Sequence, residues 1–202
     1  RLRDGVRGGN PFGDPREQGF STGLFIAPNA AEIRTLEAQQ IKLNSYTDWI
    51  RLGLAGNLKE VMLTRSNGEV VDGAHIIYNG AAAGYTLDPQ ENILYVSAHD
   101  NETIFDAIQL KAPAHATLAD RIRMNNLALS VVMFSQGVPF FHAGDDLLRS
   151  KSLDRNSYDS GDWYNKLDWS LQSNNWGVGL PIEGSNYRDI FQPLLANPAL
   201  KP

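Results

Sequence analysis

Two short apolar runs in this sequence end in residues that could do chemistry. Ile93-Leu94-Tyr95-Val96 leads through the small residues Ser97 and Ala98 to His99, Asp100 and Asn101. Val138 to Phe141 leads to His142-Ala143-Gly144-Asp145-Asp146. A buried strand that stops abruptly in His, Asp and Asn has the profile of a parallel barrel strand delivering chemistry at its carboxyl end. Successive strand residues face opposite ways, so His99 and Asp100 can share one pocket only if the strand stops there and the backbone turns. The plainer account is a strand end with a solvated Asp and a capping Asn.

The residue types narrow the chemistry. Metal binding would want more ligands at helical or hairpin spacing, and none is evident. A serine hydrolase would need a nucleophile elbow of the form G-x-S-x-G, which is absent. Gly8-Gly9 is weak as a phosphate cradle because no helix start follows it. Between Leu147 and Leu180 the chain is polar and aromatic, with Tyr158, Trp163, Tyr164, Trp169 and Trp176. Carboxylates and Asn can bind paired sugar hydroxyls, and aromatic rings can cover the apolar faces of pyranoses. Carbohydrate therefore suits this mixture, with ordinary loop packing as the competing account of the aromatics. A loop of this length is either a functional wall or disordered, and five aromatics argue against disorder.

The elements that must position these residues are partly legible. Thr117 and Asp120 form a capping box, and Leu118, Ile122, Leu129, Val132 and Met133 follow a helical period, so a helix is expected there, ending at Gly137 and Pro139. Its second half is apolar almost all round and should be buried against a sheet. Strand, helix and strand then recur, which makes a right-handed βαβ unit in a parallel sheet. Earlier, Asn29 with Glu32 reads as a cap and box for a helix over about 30 to 43, and a second short helix is expected from Thr47 to Leu52, stopping at Gly53. Leu2 to Val6 reads as the end of a strand. Val61 to Thr64 and His75 to Tyr78 read as strands flanking the turn Ser66-Asn67-Gly68. His75 and His142 read as structural, and His115 as a solvated loop residue.

Composition sets the outer limits. The chain has 202 residues, enough for one domain, with four Trp and seven Tyr in an ordinary globular mixture. The net charge of −5 and the scattered basic residues argue against nucleic acid and against an anionic membrane surface as partners. There is no cysteine, which excludes disulfides and thiolate metal sites. No apolar stretch approaches a membrane-spanning length. The opening R-L-R-D-G-V-R-G-G reads as the middle of a folded domain, so the chain is expected to be a portion of a longer one.

Tyr95 to Asp106, Y-V-S-A-H-D-N-E-T-I-F-D, resembles the fourth motif of the α-amylase clan in its debranching form. Gly137 to Ser152 and Asn156 to Asn165 are similar to pullulanases, most of all to the limit dextrinases of plants and algae. The opening Arg1 to Asp4 with Arg7-Gly8-Gly9 and the stretch Asn174 to Pro181 agree with that family. The resemblance covers essentially the whole chain. It implies an α/β fold, a (β/α)8 barrel, of which residues 1–202 would be the C-terminal portion, from about the sixth strand to the eighth. It also implies hydrolysis of α-1,6-glucosidic branch linkages in pullulan, amylopectin and limit dextrins, with retention of configuration. That reaction needs two carboxyl groups about 5 Å apart. The family's nucleophilic Asp and acid/base Glu have no matching motif here and are expected from a segment upstream.

On this resemblance Asp100 is the third catalytic carboxylate and His99 its catalytic companion. Asn101, Asn156 and Tyr158 are the implied substrate-binding residues. Many relatives have Asp where Asn156 stands, which weakens that assignment to a hydrogen-bonding role. The implied partners are a branched α-glucan and the remaining part of the catalytic domain. No cofactor or metal is implied for this chain, and calcium is left to the full-length enzyme. The plant and algal likeness implies a plastid location. A noncatalytic glucan-binding relative that has lost the catalytic pair is the alternative.

Overall fold

The computed structural model describes residues 1–9, 13–181 and 187–202. Six α-helices are present among them: α1 Leu2–Arg7, α2 Leu36–Leu54, α3 Ile104–Lys111, α4 Leu118–Met133, α5 Asp162–Asn165 and α6 Arg188–Leu195. Six short strands accompany them: β1 Met62–Thr64, β2 Val70–Asp72, β3 Ile77–Tyr78, β4 Ala81–Ala82, β5 Ile93–Leu94 and β6 Val138–Pro139.

The two apolar runs pair as expected in direction. β5 and β6 are parallel, with Ile93 opposite Val138 and Leu94 opposite Pro139. Phe140 N–H donates to Leu94 O at 2.8 Å, so ladder bonding stops at the residue before Tyr95. The paired stretch is thus shorter than either apolar run. Two helices, α3 and α4, lie between the strands, where one was expected. Helix α3 starts at Thr103, whose hydroxyl accepts from Asp106 N–H, and all eight of its residues are buried. A helix buried on every side shows no apolar stripe in sequence, which is why it was not anticipated. The Thr117–Asp120 box caps α4 as expected. Its buried face is Arg121, Asn125, Ala128 and Val132, whereas Leu127 is 43 % and Met133 64 % exposed, so its apolar second half is not enclosed within this chain.

Three other expectations are corrected. Leu2 to Val6 is helix α1, in which even Asp4 and Arg7 are buried and no strand or helix period is visible. The two helices expected between residues 30 and 52 are one continuous α2, capped by the Thr35 hydroxyl on Ala38 N–H. Asn29 is not its cap. Its side-chain amide donates instead to Arg16 O and Lys111 O, both at 2.8 Å. In the hairpin, the strand after Ser66-Asn67-Gly68 is β2, with Leu63 opposite Val71, and His75 to Tyr78 lies beyond it.

Leu2, Val6, Ile50, Leu94, Val96, Ile104, Ile108, Ala128 and Val132 form the main core, which binds α1 to α4 against the β5 segment. Each fully buried large aliphatic side chain here contributes about 1.5–3 kcal/mol relative to exposure. A second core of Phe105, Leu110, Leu153, Trp176 and Phe191 fastens the long loop after β6 and helix α6 onto α3. Trp176 meets Phe105 edge-on at 5.7 Å. The loop from 147 to 180 is therefore anchored through Leu153 and Trp176, while Tyr158, Trp163 and Trp169 stay exposed. No helix among the described residues is long and apolar enough to cross a membrane.

Candidate functional site

Beyond Leu94 the chain leaves the ladder and turns, which is the condition under which His99 and Asp100 can face one space. His99 Nδ1 lies 3.0 Å from Asp100 Oδ1, and the two side chains are 85 % and 80 % exposed. They open onto a cleft of about 330 Å³ whose wall also includes Arg3, Arg7, Tyr95, Asn101 and Phe140. Tyr95 and Phe140 meet edge-on across it, with ring centroids 6.3 Å apart. The cleft thus joins a carboxylate, an imidazole, cationic side chains and two half-exposed rings, a set suited to a polyhydroxylated ligand with apolar faces.

The turn carrying His99 and Asp100 is held from beneath. Asn101 adopts a left-handed conformation, φ 64°, which Asn tolerates better than most residues. Its N–H donates to Arg155 O at 2.9 Å, and Arg155 Nη2 donates to its side-chain oxygen at 3.1 Å. Glu102 is buried between Arg7, at 3.2 Å, and Arg155, at 2.8 Å. Burial alone would push the Glu102 carboxyl up, but Arg7, Arg155 and Lys111 outweigh it and hold it below the ordinary carboxylate range. Lys151 Nζ donates to His99 O at 2.8 Å.

Two further carboxyls sit below the rim. Asp145 accepts from Ser97 Oγ with both oxygens at 2.9 Å, and burial pushes it up to about 6. Asp106 accepts from Ser150 Oγ at 2.5 Å and from Lys151 and Leu153 N–H at 2.8 and 3.2 Å, and burial pushes it to about 6 as well. His142 is mostly buried, with Arg149 Nη1 3.1 Å from its Nε2, and desolvation brings it down to about 4. A neutral, enclosed imidazole agrees with a structural role. His75 is exposed beside Asp72, and His115 is exposed in a loop.

Of the five residues singled out in the sequence, His99, Asp100 and Asn101 come together in the cleft. Asn156 and Tyr158 are exposed on the loop after β6 and lie outside its wall, although Asn156 directly follows the Arg155 that holds Asn101. Sequence reading passed over Arg3, Tyr95 and Phe140 as site residues. Tyr95 and Phe140 each sit one position past a paired strand residue, and Arg3 enters from a helix almost a hundred residues earlier. Among the described residues there is no group of three or more His, Asp or Glu side chains placed to hold a metal.

Comparison with known proteins gives matches that span nearly the whole of this chain. The chain is 50 % identical over 205 residues to the chloroplastic pullulanase 1 of Arabidopsis thaliana, covering 100 % of this chain and 21 % of that protein. It is 47 % identical to the pullulanase of Klebsiella pneumoniae over 94 % of this chain and 18 % of that protein. The crystal structure of Klebsiella pneumoniae pullulanase complexed with maltotriose superposes with a TM-score of 0.90 at 44 % identity, over 97 % of this chain and 19 % of that one. Pullulanase from Bacillus acidopullulyticus superposes more loosely, with a TM-score of 0.57 at 31 % identity. No family model matches the chain. The chain spans about a fifth of the length of the curated relatives it matches.

Proposed function

We propose, from the premise that this chain is homologous along its whole length to one stretch of the pullulanases, that it forms the later part of a glycoside hydrolase barrel that cuts α-1,6-glucosidic branch linkages. The observation that carries this reading is the exposed His99–Asp100 pair, 3.0 Å apart, at the carboxyl side of a parallel strand. Strand ends of this kind are where β/α barrels place their catalytic groups. The exposed side chains of Ile93 and Val138 and the open apolar side of α4 leave apolar surface that the rest of a larger barrel would cover.

In this reading a branched α-glucan occupies the cleft with one glucose against His99 and Asp100. Asp100 accepts hydrogen bonds from the hydroxyls of the sugar on the nonreducing side of the cut. Those bonds draw the ring toward the flattened geometry of the oxocarbenium-like transition state. The same negative charge, lying near the acid/base carboxyl, raises its affinity for the proton it must donate. His99 donates to a neighbouring hydroxyl, and that bond strengthens as positive charge grows on the ring. Asn101 addresses the branched acceptor side, while Asn156 and Tyr158 extend the donor side along the aromatic wall. The nucleophilic Asp and the acid/base Glu come from a segment outside this chain and complete a retaining pair about 5 Å apart. The chloroplast name of the Arabidopsis relative supports a plastid location if the source is a plant or an alga.

The test is an assay of the full-length gene product on pullulan and on a linear α-1,4-glucan of similar size. New reducing ends from pullulan alone, with the first-formed product in the α configuration, are the expected result. A full-length protein that binds pullulan but releases no reducing ends would replace the hydrolase with a noncatalytic glucan binder.

A further inference from the structure

The structure assigns the loop after β6, residues 145–155, the task of fixing the pose of His99 and Asp100, with Lys151 and Ser97, which lines the cleft but turns its hydroxyl to Asp145, as positioning residues. This inference rests on the glucan-cleaving reading above and adds a mechanism of support to it. Among the described residues the β5–β6 ladder ends at Leu94, and no sheet hydrogen bonds order residues 95–101. Order comes instead from the facing loop, which takes hold of every second residue. Ser97 Oγ donates to both oxygens of Asp145 at 2.9 Å. His99 O accepts from Lys151 Nζ at 2.8 Å. Asn101 is held at both its N–H and its side chain by Arg155. With 97, 99 and 101 tied on one side, the side chains of His99 and Asp100 are left to project into the cleft.

The holding loop is itself pinned. Asp106, in the first turn of α3, gathers Ser150 Oγ and the N–H groups of Lys151 and Leu153. Lys151 is only 1 % exposed, and its bond to His99 O, made by a cationic donor, belongs to the stronger class of hydrogen bond. Its position leaves little room for His99 O to wander. Hydrolysis at an oxocarbenium-like centre depends on placement to within a fraction of an ångström, and a misplacement of about 1 Å can cost roughly a hundredfold. Substrate binding spread over many subsites is far less sensitive to one rim residue, so the loss should fall on turnover.

The experiment compares full-length Ser97→Ala, Lys151→Met, Lys151→Arg and Asp100→Asn proteins on pullulan, with thermal unfolding of each. Ser97→Ala and Lys151→Met are expected to lower kcat about ten- to a hundredfold with KM changed by less than about twofold, and Lys151→Arg to recover most of the Lys151→Met loss. If Lys151→Met fails to fold, Ser97→Ala decides alone, since it removes a single hydroxyl and little volume. Wild-type kcat in folded Ser97→Ala and Lys151→Met, beside a dead Asp100→Asn, would overturn the positioning role and leave the catalytic reading intact. Wild-type turnover in Asp100→Asn would remove that reading first. A rise in KM equal to any loss in kcat/KM would also overturn the inference, because it would mark a binding defect.

Discussion

Asp100→Asn in the full-length protein is expected to lower kcat on pullulan by about a thousandfold while KM moves by less than about threefold. Such a change corresponds to about 4 kcal/mol of transition-state stabilisation, at 1.36 kcal/mol per decade. The substitution keeps the size and shape of the side chain and removes its charge. In the mechanism proposed above it would therefore weaken the charge-assisted bonds to sugar hydroxyls and remove the field that keeps the acid/base carboxyl protonated. Both losses grow as positive charge develops on the ring, which is why turnover should suffer more than affinity. Stability offers the control. Asp100 is 80 % exposed and its side-chain partner is the equally exposed His99, so the unfolding midpoint should stay where it was. A loss of rate without a loss of stability separates a catalytic from a structural Asp. Turnover within threefold of the wild type would count decisively against the role given to this carboxylate.

The sequence made this pair visible because its signal is local. An apolar run, two small residues and then His-Asp-Asn can be read within ten residues, and the parallel pairing with Val138-Pro139 follows from a second run of the same kind. The capping box of α4 was legible for the same reason, since Thr117 and Asp120 are three residues apart. What escaped is either uniformly buried or far apart in the chain. Helix α3 is enclosed on every side and α1 on nearly every side, so neither shows a stripe from which a period could be read. The supports of the site join residues 44 to 54 positions apart, such as Asp106 with Ser150 and Asn101 with Arg155. Nothing in a single sequence marks such pairs. Arg7 and Glu102, separated by 95 positions, are the extreme case, and each reads locally as a solvated surface charge.

That pair is where the largest effect on stability is expected. Glu102→Gln should destabilise the protein by about 3–5 kcal/mol at pH 7, lowering the unfolding midpoint by roughly 6–20 °C. The Glu102 side chain is 6 % exposed and the Arg7 side chain 7 %, so water cannot take over either role. Arg7 donates to the Glu102 carbonyl at 3.0 Å and to its carboxylate at 3.2 Å. Arg155 Nε approaches the other carboxylate oxygen to 2.8 Å, an ion pair more than an aligned hydrogen bond. Lys111 lies in the same buried group, pulled down to about 7 by desolvation and by the Arg7 charge, with Glu102 opposing. Removing the one carboxylate leaves Arg7 and Arg155 without their shared counter-charge in a poorly hydrated space, and an unpaired buried charge costs far more than an exposed pair contributes. The pH dependence has a fixed sign. Because the folded-state pKa of Glu102 is depressed, its contribution is present above the unfolded value of 4.5 and is lost as pH falls through the lower folded value. The gap between wild type and Glu102→Gln should accordingly be full at pH 7 and close in acid below pH 4.5. A midpoint for Glu102→Gln equal to that of the wild type at pH 7 would mean that solvent reaches this group, contrary to its burial beneath Asn101.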